Sequence, residues 1–232
     1  MQLIKNTKLF ENFMAMLVLQ ISNYVFPFLT IPYLSRTLST THYGVVLFAL
    51  SITSYLGLVC DYGFGLAATR DASKSRDNPA EINLLLSSVT VIKFLLFIVM
   101  FVGAILYILF NPYYHHDYII YCATFLSVIY NVFFPAWLFQ GLEKMRYITF
   151  VNVIMRLISV ALIFSCVHND SDYVLIPLLN LVPVMCGIIY IQYVLHKKLF
   201  ISYLVPNVSQ LLFQIRQGWH IFLSTIIGSF YA

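Results

Sequence analysis

Three ionisable residues stand in otherwise apolar sequence. Lys93 and Arg156 are each embedded in a long hydrophobic stretch, and Asp61 closes another. An ionised side chain at membrane depth is costly, so it faces a bundle interior or a wet cavity and takes a partner there. At the helical rise per residue, Lys93 lies roughly 17 Å and Arg156 roughly 14 Å from the ends of their helices, both near a bilayer midplane. Two cations at one depth suit an anion such as a phosphate, with Arg offering a bidentate fork and Lys a point charge. Asp61 has two readings. It titrates or binds a coupling cation, H+ or Na+, or it holds Arg70 or Lys93 in a static pair. Lys93 has the further option of snorkelling to an interface.

Further polar residues follow helical spacing. Ser51, Ser54, Leu58, Asp61, Gly65 and Thr69 form one polar-to-small stripe, which should face a cavity or another helix rather than lipid. Two prolines are placed alike, in Asn23-Tyr-Val-Phe-Pro27 and Asn131-Val-Phe-Phe-Pro135. A proline cannot donate to the carbonyl four residues back, so the carbonyls of Asn23 and Asn131 are freed and need another partner. Pro27, Pro32 and Pro135 are therefore candidate hinges. Arg36, at the end of the first apolar stretch, is either a headgroup contact or a substrate contact. His115-His116-Asp117 lacks a fourth ligand and reads as a structural turn, not a metal site. No nucleophile-and-base constellation appears, and no cofactor is implied. Four scattered cysteines, Cys60, Cys122, Cys166 and Cys186, have no paired spacing.

The elements that position these residues are six apolar stretches: 13–34, 43–60, 82–110, 118–142, 147–167 and 173–195. About 20 apolar residues span a bilayer as a helix. The chain is 61% hydrophobic and only 9% charged over 232 residues, where a soluble domain carries about a quarter charged residues. The apolar runs are continuous rather than alternating, so spanning helices and not a barrel are expected. The predicted fold is all-α: a polytopic bundle with one six-helix lobe (1–206). An amphipathic linker over 207–217 and the start of a seventh helix, 218–232, follow; the pattern suggests a second lobe beyond. Ten of the 13 Lys and Arg residues fall on alternate loops and tails: Lys5, Lys8, Arg70, Lys74, Arg76, Lys144, Arg146, Lys197, Lys198 and Arg216. That asymmetry predicts a cytoplasmic N-terminus. The net charge of +4 then serves inner-face anchoring among membrane lipids, not nucleic-acid binding.

The run Asn23–Leu38, with Tyr43-Gly44, Asp61-Tyr-Gly-Phe64, Ala68-Thr-Arg70 and Phe134-Pro-Ala-Trp-Leu-Phe-Gln-Gly-Leu-Glu-Lys-Met145, resembles the O-antigen flippases, the Wzx family. Ser39 stands where that pattern has Gly. The resemblance implies half of a two-lobed fold similar to multidrug-and-toxin extruders. It implies transport of undecaprenyl-pyrophosphate-linked oligosaccharide from the inner to the outer leaflet of a bacterial inner membrane, by alternating access and without covalent catalysis. A glycan polymerase machinery is the implied partner. Signature residues Asn23, Pro27, Pro32, Arg36, Asp61, Arg70, Pro135, Gln140, Gly141, Glu143 and Lys144 gain weight from it.

Combined with the residue chemistry, the expected substrate contacts are Arg156, Lys93, Arg36, Asn23 and Asn131. Asp61 and Glu143 are the candidates for ion coupling or a latch. Two competing readings remain. A small-molecule cation antiporter of the same superfamily needs carboxylates and aromatics in its cavity. A membrane enzyme of glycan assembly, a polymerase or acyltransferase, needs a sizeable outer loop with catalytic groups, and the outer loops here are short.

Overall fold

A computed structural model describes residues 2–231, with side chains described for 10–228. Lys5, Lys8 and the last four residues therefore lie outside the described side chains. Among the described residues the secondary structure is all helical, and six helical stretches are long and apolar enough to cross a membrane. In chain order the helices are α1 (Gln2–Thr37), α2 (Thr40–Asp61), α3 (Phe64–Lys74), α4 (Pro79–Phe110), α5 (Tyr118–Leu126), α6 (Ile129–Phe133), α7 (Ala136–Gly141), α8 (Met145–Cys166), α9 (Leu175–Tyr193) and α10 (Val208–Tyr231).

Local sequence explains where they start. Ser39 caps α2 by accepting from the His42 amide. Asn78 caps α4, Pro79 fills the first helical position, and Glu81 completes the turn by accepting from Asn78 Nδ2 at 2.9 Å. The stripe expected to run straight from Ser51 to Thr69 is interrupted. Tyr62 (φ 48°) and Gly63 (φ 76°) take the left-handed conformation and separate α2 from α3. Gly63 is also where α10 approaches, since a Cβ there would lie 2.8 Å from the Phe222 amide nitrogen.

The fourth apolar stretch is the least regular. Its expected single helix, 118–142, is three short ones, broken after Leu126 and again at Phe134-Pro135. The first stretch behaves oppositely: α1 stays helical through both Pro27 and Pro32, so the break expected there is absent. The linker and the seventh stretch are likewise one continuous helix, α10, lying against α3 and α4.

Apolar side chains pack at both ends. One cluster centres on Phe64, Leu86, Leu138, Phe139, Ile191 and Leu195, a second on Leu34, Val46, Ala49, Ile120 and Val167. Outward faces are as apolar as the interior: Phe28, Tyr24, Val99 and Ile189 are all at least 66% exposed. Such a surface suits hydrocarbon, where lipid replaces water as the contacting medium.

Candidate functional site

Between the two clusters α4 carries Lys93, 3% exposed. Its Nζ donates to Asp61 Oδ1 at 2.6 Å and to the Asn131 carbonyl at 3.4 Å. Each partner is prepared by local sequence. Pro135 withholds the amide that would otherwise bond the Asn131 carbonyl. Asp61 ends α2 and its other oxygen, Oδ2, accepts from the Gly65 amide at 3.2 Å. That amide belongs to the first turn of α3, whose unpaired N–H groups favour a carboxylate. Asp61 therefore ties α2, α3 and α4 together while its side chain stays 42% exposed.

The exposed part of Asp61 opens into a cavity of about 300 Å³. Asn23 from α1, Lys93 from α4, Tyr130 and Asn131 from α6, Trp137 and Gln140 from α7, and Asn152 from α8 share its wall. Tyr130 donates to Asn152 Oδ1 at 3.2 Å, and Asn152 Nδ2 donates to the Ile148 carbonyl at 2.9 Å. Aside from the Lys93–Asp61 pair, the polar side chains of the wall are amides, a phenol and the Trp137 indole.

Six of the residues singled out from sequence thus meet in one cavity: Asn23, Asp61, Gly65, Lys93, Asn131 and Gln140. The others lie elsewhere. Arg156 is half-buried on the seam between α8 and α1, where its Nη1 donates to the Ser22 carbonyl at 3.4 Å. It follows Asn152 by one helical turn and so projects from the same side of α8. Arg36 is exposed at the end of α1. Glu143, at φ 57°, pairs with Arg76 at 3.0 Å at the basic end of the bundle, and the same guanidinium donates to the Gly141 carbonyl. Pro135 sits at a helix break, Pro27 and Pro32 do not.

Of the two static partners open to Asp61, the structure shows Lys93, at contact distance. Arg70 does not serve Asp61; it bonds Asp71 at 3.2 Å and Gln217 of α10 at 2.6 Å. The His115-His116-Asp117 turn is occupied structurally: Tyr173 donates to Asp117 at 2.7 Å, and among the described residues no three His, Cys, Asp or Glu side chains converge for a metal.

Sequence reasoning missed Tyr130, Trp137 and Asn152. A signal existed for Asn152. Thr149, Asn152, Arg156 and Ser159 repeat at three- and four-residue intervals along α8 and form a polar stripe in an apolar helix. All four members bond other helices' groups: Thr149 the Ala15 carbonyl, Asn152 the Tyr130 hydroxyl, Arg156 the Ser22 carbonyl, and Ser159 the Asn180 side chain. Tyr130 carries no such signal, being one of 17 tyrosines; Trp137 stands in the run 134–145 that resembles the flippases, with no role assigned to it there.

Comparison with known proteins gives the chain its relatives. It is 29% identical over 223 residues to a protein of Escherichia coli (strain K12) named "Putative O-antigen transporter", covering 96% of this chain and 54% of the relative. A protein of the same name from Shigella dysenteriae is 28% identical over 225 residues, covering 95% of this chain and 55% of the relative. The chain thus spans about half the length of these curated relatives. No solved structure matches it. The family described as polysaccharide biosynthesis protein matches residues 9–232, and the chain belongs to that family.

Proposed function

We propose that the chain forms the N-terminal lobe of a flippase. Its cargo is an undecaprenyl-pyrophosphate-linked O-antigen repeat unit, moved from the inner to the outer leaflet of a bacterial inner membrane by alternating access. The observation that carries this reading is a cavity with charged and polar groups in its wall, lined by seven helices, inside a bundle whose outer surface is apolar. A cargo with a hydrocarbon tail and a hydroxyl-rich head needs both. The N-terminus is cytoplasmic in this reading, with the basic end facing inward, and a glycan polymerase takes the product.

Roles follow from charge. The Lys93–Asp61 pair is neutral as a unit, so Arg156 is the deep cation left to meet the diphosphate. The cavity amides of Asn23, Asn131, Gln140 and Asn152 suit sugar hydroxyls, which both donate and accept. Asp61 couples the cycle: its protonation, or a Na+ on its exposed side, releases Lys93 from the pair. The hinge is Pro135. No covalent step is needed.

The test starts from a host with the intact gene deleted and assays both surface glycan and the leaflet holding its lipid-linked repeat unit. Restoring the full-length gene should return the units to the outer leaflet. An Arg156→Ala gene should leave them trapped inside with normal membrane insertion, and Arg156→Lys should rescue in part. Full export by Arg156→Ala removes the phosphate role. Repeat units reaching the outer leaflet unpolymerised in the deletion strain would instead indicate a polymerase. The exposure of Asp61 also favours a small-molecule cation antiporter; unchanged glycan in the deletion strain with raised sensitivity to cationic compounds would favour that reading.

A further inference from the structure

A second cavity, of about 420 Å³, lies at the basic end of the bundle between α3, α4 and α10. It is separate from the cavity around Asp61, with no lining residue in common. Its wall sorts its polar groups into acceptors and donors. On the acceptor side are Asp71, Glu81 and Gln214; Asp71 Oδ1 already accepts from Arg70 and Glu81 Oε1 from Asn78, which leaves the second oxygen of each. Gln214 is 8% exposed, and its Oε1 has no hydrogen-bond partner among the described residues. A buried acceptor left unmade is costly, so this oxygen calls for a donor. Gln214 lines the cavity, and its last side-chain torsion is soft, so its amide is free to turn toward a donor there. On the donor side are Lys74, Gln210 and Gln217. Gln210 Oε1 already accepts from the Asn207 amide at 2.8 Å, and Gln217 Oε1 from Arg70 at 2.6 Å. Their Nε2 groups remain as donors. Leu85 and Phe213 supply hydrocarbon beside both sets.

We propose that this cavity binds the headgroup of a zwitterionic phospholipid bearing a primary ammonium. The ammonium has three N–H donors for Asp71, Glu81 and Gln214. The phosphate meets Lys74 and the two glutamine amides, and the acyl chains run along Leu85 and Phe213. Two carboxylates against Lys74 and the Arg70 that already bonds Asp71 leave no net positive charge for an anionic headgroup, a balance that a zwitterion matches. A trimethylated ammonium offers no N–H donor and leaves the Gln214 oxygen unpaired. The location agrees: the cavity sits at the end of α3 and the start of α4, beside the amphipathic first turns of α10, where headgroups lie.

The full-length protein, purified into nanodiscs of equimolar phosphatidylethanolamine, phosphatidylcholine and phosphatidylglycerol, is released into mild detergent and its retained lipid identified by native mass spectrometry. Phosphatidylethanolamine should be retained about tenfold over phosphatidylcholine, the worth of one hydrogen bond to a charged group. Gln214→Leu should bring that ratio close to one. It removes an orphan acceptor and so leaves folding intact, checked by the melting temperature; Glu81→Gln, at the rim, should lower the ratio independently. Equal retention by the wild-type protein, a preference for phosphatidylglycerol, or an unchanged ratio in both variants would overturn the proposal.

Discussion

Two segments of this bundle carry the same Asn-x-x-x-Pro pattern, and only one of them breaks. In α1, Pro27 and Pro32 are passed without interruption, while Pro135 falls in a gap between α6 and α7. Burial separates the two cases. In the most apolar window of 118–141, 50% of residues are buried, against 6% in that of 10–37. Irregular backbone at membrane depth is tolerated where protein or a wet cavity covers it, and not against lipid. The broken segment has such cover: Lys93 reaches the Asn131 carbonyl, and Gln192 Nε2 donates to the Phe133 carbonyl at 2.8 Å. The exposed segment stays regular instead, and the carbonyls freed by Pro27 and Pro32, those of Asn23 and Phe28, remain within one continuous helix. Proline therefore frees a carbonyl in both places, and the neighbours decide whether the helix opens.

Substitutions at the partners can break or sharpen this contrast. The largest effect is expected at Lys93. Lys93→Met removes the partner of Asp61 and of the freed Asn131 carbonyl together. Breaking a buried pair costs about 3–5 kcal/mol, and the exposure of Asp61 to the cavity places this one at the low end. Thermal unfolding in detergent should show it, and Asp61→Asn in the same chain should recover part of the loss. Stability unchanged by Lys93→Met would mean the broken segment does not depend on its cation.

Gln192→Leu is intermediate. It leaves the Phe133 carbonyl without its side-chain donor at a loss of about 1–3 kcal/mol, and amide exchange should quicken over 129–136 with little change in α1. Uniform exchange along both segments would contradict a local role. The smallest effect belongs to Pro27→Ala. It returns an amide donor to the Asn23 carbonyl in a helix that is already regular, so stability should move by less than about 1 kcal/mol. A drop in repeat-unit export with stability unchanged would show that α1 does bend during transport.

Much of the frame was legible in the residues. The six apolar stretches are long, continuous and separated by short polar loops, so hydropathy alone located the spans. The freed carbonyl at Asn131 was legible too, since proline chemistry is local. Its partner was not. Lys93 and Asn131 are 38 residues apart, and no spacing rule joins groups on different helices. For Lys93 the residues left a phosphate contact and a static pair with Asp61 both open for the same reason: depth along a helix can be counted, but direction toward Asp61 cannot.

The sequence by itself determined an all-helical, membrane-spanning chain, the end of the bundle that gathers its loop cations, and the residues able to bear charge inside it. Those properties depend on composition and on periods of three to four residues, which are local. Tertiary structure alone decided that Lys93 is neutralised, that four amides and Tyr130 join it around one cavity, and that Arg156 stands outside on the α1–α8 seam. Those facts depend on how helices rotate and where they break against one another. Rotation and breakage follow from packing and from the partners of unpaired backbone groups, which lie far apart along the chain.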